Sequence, residues 1–202
     1  MRKAILHLKQ RDPILRSIIE KVGPYRIEYS PPDFSTLARS IIYQQLSGKV
    51  ALTMYNRLEA ACRGDKVTPQ ALLSLAPESM RALGLSRQKI AYLREAAAWA
   101  LDGRLDFGEL RKLSDEEVTR RLTAIKGVGP WTVHMFLIFG LRRPDVMPSG
   151  DLGIRVAVQK AYGMPELPPP AVVDRMAEER WRPYCSVASW YLWRSLEDKN
   201  GL

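Results

Sequence analysis

Apolar side chains recur along most of this chain at intervals of three and four, and the gaps between the runs hold residues that start and stop helices. Asp33 precedes Phe34, Leu37, Ile41 and Ile42, the pattern of a capped helix. Gly48 interrupts, and Val50, Met54 and Leu58 continue as a second helix. Thr68-Pro69 and Ala76-Pro77 each put proline at a first helical position, and Gly84 closes the second of these. Ser86 caps a run through Ile90, Leu93 and Ala97 that ends at Gly103. Ser114-Asp115-Glu116-Glu117 has the form of a capping box ahead of Val118, Leu122 and Ile125. Lys126-Gly127-Val128-Gly129 is a turn, and Pro130 opens a helix to about Gly140. After a loop over 142–150, Asp151 begins a helix to about Tyr162. Residues 165–170 form a stiff, proline-rich connection, and helices follow near 173–179 and 183–197. No segment alternates with a period of two and no fixed repeat recurs, so the pattern predicts an all-α fold of about ten helices.

Composition adds little to the fold and something to the partner. The 202 residues suffice for one domain, or two packed lobes, with a real core. Residues 1–10 hold a short apolar patch broken by charge, which does not have the form of a signal peptide. No run approaches the ~18 apolar residues of a membrane span, so the expected location is the cytosol, or the nucleus in a eukaryote, with no membrane partner. Net charge is +9, from 31 Lys and Arg against 22 Asp and Glu, which favours a polyanion such as nucleic acid but also fits a plain solvated surface. Cys62 and Cys185 are too few for a four-cysteine iron–sulfur or zinc site; a bridge between them is open, but they read first as reduced buried thiols.

The segment Ile125-Lys126-Gly127-Val128-Gly129-Pro130-Trp131-Thr132 carries the first candidate chemistry. Two glycines around one apolar residue let the chain reverse between helices and let its backbone approach another surface closely. The helix that starts at Pro130 presents its amide end, a seat for phosphate, and Lys126 adds charge beside it. Val128 would pack back between the helices. Taken alone, Gly-Val-Gly is also an ordinary helix–helix turn.

The hairpin, followed 22 residues after Gly129 by Asp151 within Asp145-Val146-Met147-Pro148-Ser149-Gly150-Asp151-Leu152, resembles the helix-hairpin-helix DNA glycosylase superfamily, and more narrowly its DNA-3-methyladenine glycosylase II branch. Ile41-Ile42-Tyr43-Gln44-Gln45-Leu46-Ser47 and Trp181-Arg182-Pro183-Tyr184 are similar to that branch as well, so the likeness runs from about residue 34 to residue 195. It implies two helical lobes flanking a DNA-binding cleft. One lobe spans about 34–140 and ends in the hairpin at about 115–140; the other joins 1–33 to 141–202. It also implies the compact form of the family, without the β domain that precedes larger relatives.

Carried onto this chain, the resemblance makes Asp151 the catalytic carboxylate of a monofunctional enzyme acting on double-stranded DNA with a damaged base. A carboxylate at a helix N-terminus favours its ionised form and would stabilise positive charge on the sugar as an alkylated base departs. As residues alone, Asp151 reads first as a helix cap, and Asp145 is a rival carboxylate. Gly150 stands where relatives often have a second Asp. Trp131 stands where strand-cutting relatives use a Schiff-base lysine, so base release should leave an abasic site. Leu46 matches the family's intercalating residue, an apolar wedge for the hole left by an extruded base. Trp131 and Tyr184 match positions of the base pocket, where a cationic base would stack, and Met135 lies one helical turn on from Trp131. Lys126, Gly127, Val128, Gly129 and Thr132 would hold the DNA backbone. Trp190 and Trp193 read as core, Tyr43 as either, and His7 and His134 as ordinary. No cofactor is expected, although hairpin carbonyls in this family can hold a monovalent cation, and nothing points to an oligomer.

Overall fold

The computed structural model describes residues 1–62 and 66–197. Thirteen α-helices lie within them: α1 (Arg2–Arg11), α2 (Pro13–Val22), α3 (Phe34–Tyr43), α4 (Gly48–Ala61), α5 (Pro69–Ser74), α6 (Pro77–Ala82), α7 (Arg87–Leu101), α8 (Phe107–Leu110), α9 (Asp115–Thr123), α10 (Pro130–Met135), α11 (Leu152–Tyr162), α12 (Pro170–Met176) and α13 (Cys185–Ser195). No strand occurs among the described residues, so the fold is all-α as its periodicity predicts. Two helices end in a π-helical turn, α10 over Phe136–Gly140 and α12 over Ala177–Trp181. In each the closing amide reaches five residues back, Leu141 to Phe136 and Arg182 to Ala177.

Local chemistry accounts for most boundaries. Asp33, Thr68, Ser86, Ser114 and Asp151 all accept amide hydrogen bonds as N-caps, at the places the sequence marks. Gly48 does not interrupt a helix; it opens α4. The Ser114 box forms by one arm only: Ser114 Oγ accepts from Glu117 N, while the Glu117 carboxylate takes the guanidinium groups of Arg120 and Arg121. Those hydrogen bonds hold the Glu117 carboxyl down at about 2.

The chain divides into two compact units, a central one over Tyr29–Leu141 and a terminal one that joins Met1–Glu28 to the chain from Arg142 onward. In the central unit α3 is buried along almost its whole length, through Phe34, Leu37, Ala38, Ile41 and Ile42, and packs against α4, α7 and α10 with its π turn. In the terminal unit Leu8, Leu15, Ile154, Val158, Val173, Trp181 and Tyr191 share one core.

The first two helices escape the periodicity reading. Their signal is Asp12-Pro13, a cap followed by proline at the first helical position. Asp12 is fully buried. Its Oδ1 accepts from the amides of Ile14 and Leu15, and its Oδ2 accepts from Tyr162 Oη at 2.5 Å and Trp181 Nε1 at 2.9 Å. Four donors satisfy this carboxylate, the condition for burying one at all. Burial and the Asp12 carboxylate together push the Tyr162 hydroxyl well above its ordinary range.

Candidate functional site

The candidate residues divide between the units: Leu46, the hairpin, Trp131 and Met135 are central, while Asp145, Asp151 and Tyr184 are terminal. In the central unit α9 and α10 are joined by the predicted turn. Gly127 adopts φ +84°, and an added Cβ would meet the Tyr92 ring at 2.1 Å, so glycine is required there twice over. Gly129 differs. Its φ of −95° suits any residue, and a Cβ would meet nothing within 4 Å. Folding leaves the face at Gly129 open. Val128 is buried at 4% exposure and its amide donates to Ile125 O, so its side chain anchors the turn, and Lys126 is exposed.

The Thr132 side chain faces inward. The sequence reading puts it among the residues that hold DNA backbone, but it is 1% exposed, and its Oγ1 accepts from Gln44 Nε2 at 2.8 Å. The same Nε2 donates to Gly127 O at 2.8 Å. Thr132 is therefore an internal brace between the hairpin and the turn after α3, because its position on α10 faces inward.

That turn carries Leu46, half-exposed, directly after Gln45 at φ +57°. A non-glycine residue at positive φ persists only where its surroundings hold it. Lys89, from α7, does this. Its ammonium donates to Ile42 O and, at 2.7 Å, to Gln44 O, and so caps the carbonyl end of α3. Burial pulls its pKa down. We expect Lys89→Met to cost about 1.5–3 kcal/mol, the range for hydrogen bonds involving a charged group. Urea unfolding measures that loss, and faster amide exchange at Leu46, whose N–H donates to Tyr43 O, locates it.

Trp131, half-buried, and Met135, 8% exposed, lie four residues apart on α10. In the terminal unit Tyr184 is half-buried at the start of α13, with the His7 ring edge-on at 5.3 Å. Asp145 is committed to structure: Oδ2 accepts from Arg182 at 2.8 Å and Oδ1 from the amide of Cys185. Both cysteines are free thiols and buried.

Asp151, half-buried, caps α11. Its Oδ1 accepts from Ile154 N at 2.8 Å and from Trp193 Nε1 at 2.8 Å. The cap and the candidate catalytic group are thus one side chain. Trp193 is not simply core, and nothing local in the sequence signals its partner 42 residues away. Gln44, Tyr92 and Lys89 were missed for the same reason, since each acts through a contact distant in sequence.

A helix-hairpin-helix turn in an all-α chain, with a capping Asp after it, defines a class. The description "HhH-GPD superfamily base excision DNA repair protein" matches residues 38–183, and the chain belongs to that family. It is 37% identical to DNA-3-methyladenine glycosylase 1 of Schizosaccharomyces pombe, over 96% of this chain and 86% of that one. Among solved structures it is similar to the 3-methyladenine DNA glycosylase Mag1 of S. pombe in complex with abasic DNA, with TM-score 0.90, 37% identity and 96% of each chain covered. A DNA-3-methyladenine glycosidase of Bacillus halodurans is similar at TM-score 0.76 and 36% identity, over 94% of this chain and 87% of that one.

Proposed function

We propose that this chain is a monofunctional DNA glycosylase that acts as a monomer on duplex DNA, extrudes an alkylated base of the 3-methyladenine or 7-methylguanine type, and hydrolyses its bond to deoxyribose. The observation that carries the reading is the Asp151 carboxylate, fixed at the N-terminus of α11 by two donors, in a chain 37% identical to a DNA-3-methyladenine glycosylase.

The chemistry follows from charge. A purine alkylated at N3 or N7 is cationic while joined to the sugar, so the C1′–N bond breaks with its electron pair moving to the base, and the base leaves neutral. Positive charge is left on the sugar. An ionised carboxylate stabilises that charge and orients the water that adds to C1′; the proton the water loses passes to the carboxylate and then to solvent. Leu46 fills the gap left in the stack, and Trp131 and Tyr184 offer aromatic faces to the cation. Trp131 cannot form a Schiff base, which supports an abasic site as the product.

Lys126 and the backbone at Gly127 and Gly129 hold DNA phosphates. A monovalent cation fits the same turn, since Ile125 O and Gly127 O each accept one hydrogen bond and retain a second lone pair. Bound there, it would add positive charge beside a phosphate, and no step of the reaction runs through it.

Gly129→Ala separates binding from folding. It should change stability by less than about 1 kcal/mol, the scale of a Gly-to-Ala change at a helix cap, yet weaken duplex binding by roughly tenfold by holding the backbone off the phosphate. Fluorescence anisotropy with a duplex and thermal melting read the two. The function itself is tested by incubating methylated duplex DNA with the protein, assaying freed bases by chromatography, and nicking the product with alkali. Free methylated purine with strand breaks only after alkali supports the proposal. Tight binding with no base released would leave a DNA-binding module instead.

A further inference from the structure

A helix cap needs one acceptor oxygen and local amides. The Asp151 cap has those in Ile154 N, and then takes a second donor from another helix, the indole N–H of Trp193 on α13. Gly153 makes the room. A Cβ at that position would lie 3.0 Å from Asp151 Oδ1 and 3.2 and 3.4 Å from Cδ1 and Nε1 of Trp193. Gly153 sits inside α11, where glycine is a poor helix former, and its φ is not in the left-handed region. The turn does not ask for glycine. The approach of indole to carboxylate does.

We propose that Trp193 is a positioning residue for base release, acting through Asp151, with Gly153 as the space that admits it. Two donors on one oxygen fix the plane of the carboxylate, so Oδ2 is carried in a single direction relative to the backbone of α11. A carboxylate held only by its cap amide could rotate about the Cβ–Cγ bond. One aimed at a developing charge must not, since preorganised groups need no rearrangement at the moment of reaction. Trp193 thus belongs to the reaction without touching the DNA. This inference rests on Asp151 being the catalytic carboxylate.

The test uses Trp193→Phe, which keeps an aromatic ring in place and removes the N–H, and Gly153→Ala, whose Cβ crowds the contact between the indole and Asp151 Oδ1 from outside both residues. Each should lower the single-turnover rate of base release roughly 10–100-fold, the factor that a hydrogen bond to a charged group is worth. Affinity for a duplex with an abasic site should stay within about twofold, because the contact is internal. The deciding readout is the Asp151→Asn background, where adding Trp193→Phe should lower the residual rate no further, since a residue that acts through the carboxylate has nothing left to act on. A further drop there, or a wild-type rate in both single variants, overturns the inference. So does a fall in rate that merely tracks loss of DNA binding and melting temperature. Should Trp193→Phe fail to fold, Trp193→Leu, which also lacks the N–H, takes its place, because the Cβ of Gly153→Ala presses on Asp151 Oδ1 as well as on the indole. A parent chain that releases no base, or an Asp151→Asn variant as fast as the parent, would instead count against the proposed function.

Discussion

Asp151→Asn is expected to fold like the parent chain, bind duplex DNA as well or better, and lose base release by on the order of 10³-fold. The substitution changes charge and little else. Asparagine is as good an N-cap as aspartate, and its Oδ1 can still accept from Ile154 N and Trp193 Nε1. Removing a negative charge near DNA cannot weaken attraction to phosphate. In the proposed mechanism what disappears is the counter-charge to the cationic sugar, so the expected loss falls on the chemical step. Single-turnover release from methylated DNA gives the rate, anisotropy the affinity and thermal melting the stability. Asp145→Asn is the contrasting variant. It weakens the ion pair with Arg182 and should act on stability, not on the chemical step. A rate for Asp151→Asn within about threefold of the parent would remove the carboxylate from the mechanism.

Gly127→Ala is expected to lower stability by about 3 kcal/mol or more, a fall in melting temperature of roughly 6–12 °C, and to reduce DNA binding with it. Two independent penalties meet at one atom. The φ of +84° is unfavourable for any side chain, and the added Cβ would lie 2.1 Å from two ring carbons of Tyr92 and 2.3 Å from a third. The ring has little room to step aside, because the clash falls on Cγ and both Cδ atoms at its root and not on its far end. The two penalties separate in a second variant. Tyr92→Ala together with Gly127→Ala clears the clash and leaves the backbone strain, so the pair should recover part of the loss in melting temperature that Gly127→Ala shows alone. Additive losses would mean that the glycine does not rest on the ring.

The two glycines of the hairpin look alike in sequence, and the structure gives them different work. The fold requires glycine at 127, while at 129 the residue caps α10 through its carbonyl and no neighbour within 4 Å demands that it lack a Cβ. The Thr132 side chain, a candidate for the DNA face in sequence, is buried and accepts from Gln44 beneath the turn. Arg155, in sequence one basic residue among many, donates through Nε to Pro168 O and holds the proline-rich connection. In each case the residue type is compatible with both roles, and only its neighbours choose.

The sequence by itself determined the helical class, most helix starts, the hairpin and the capping Asp151, because caps, prolines and apolar spacing are local and act within four residues. Tertiary structure alone decided which contacts hold the functional groups: Lys89 on the end of α3, Gln44 under the hairpin, Tyr92 beneath Gly127 and Trp193 on Asp151. Those partners lie from 35 to 83 residues apart along the chain in the three cases other than Lys89, which reaches 45 residues to Gln44. A hydrogen bond or a ring contact depends on distance in space, and no short-range pattern encodes which helix will supply it.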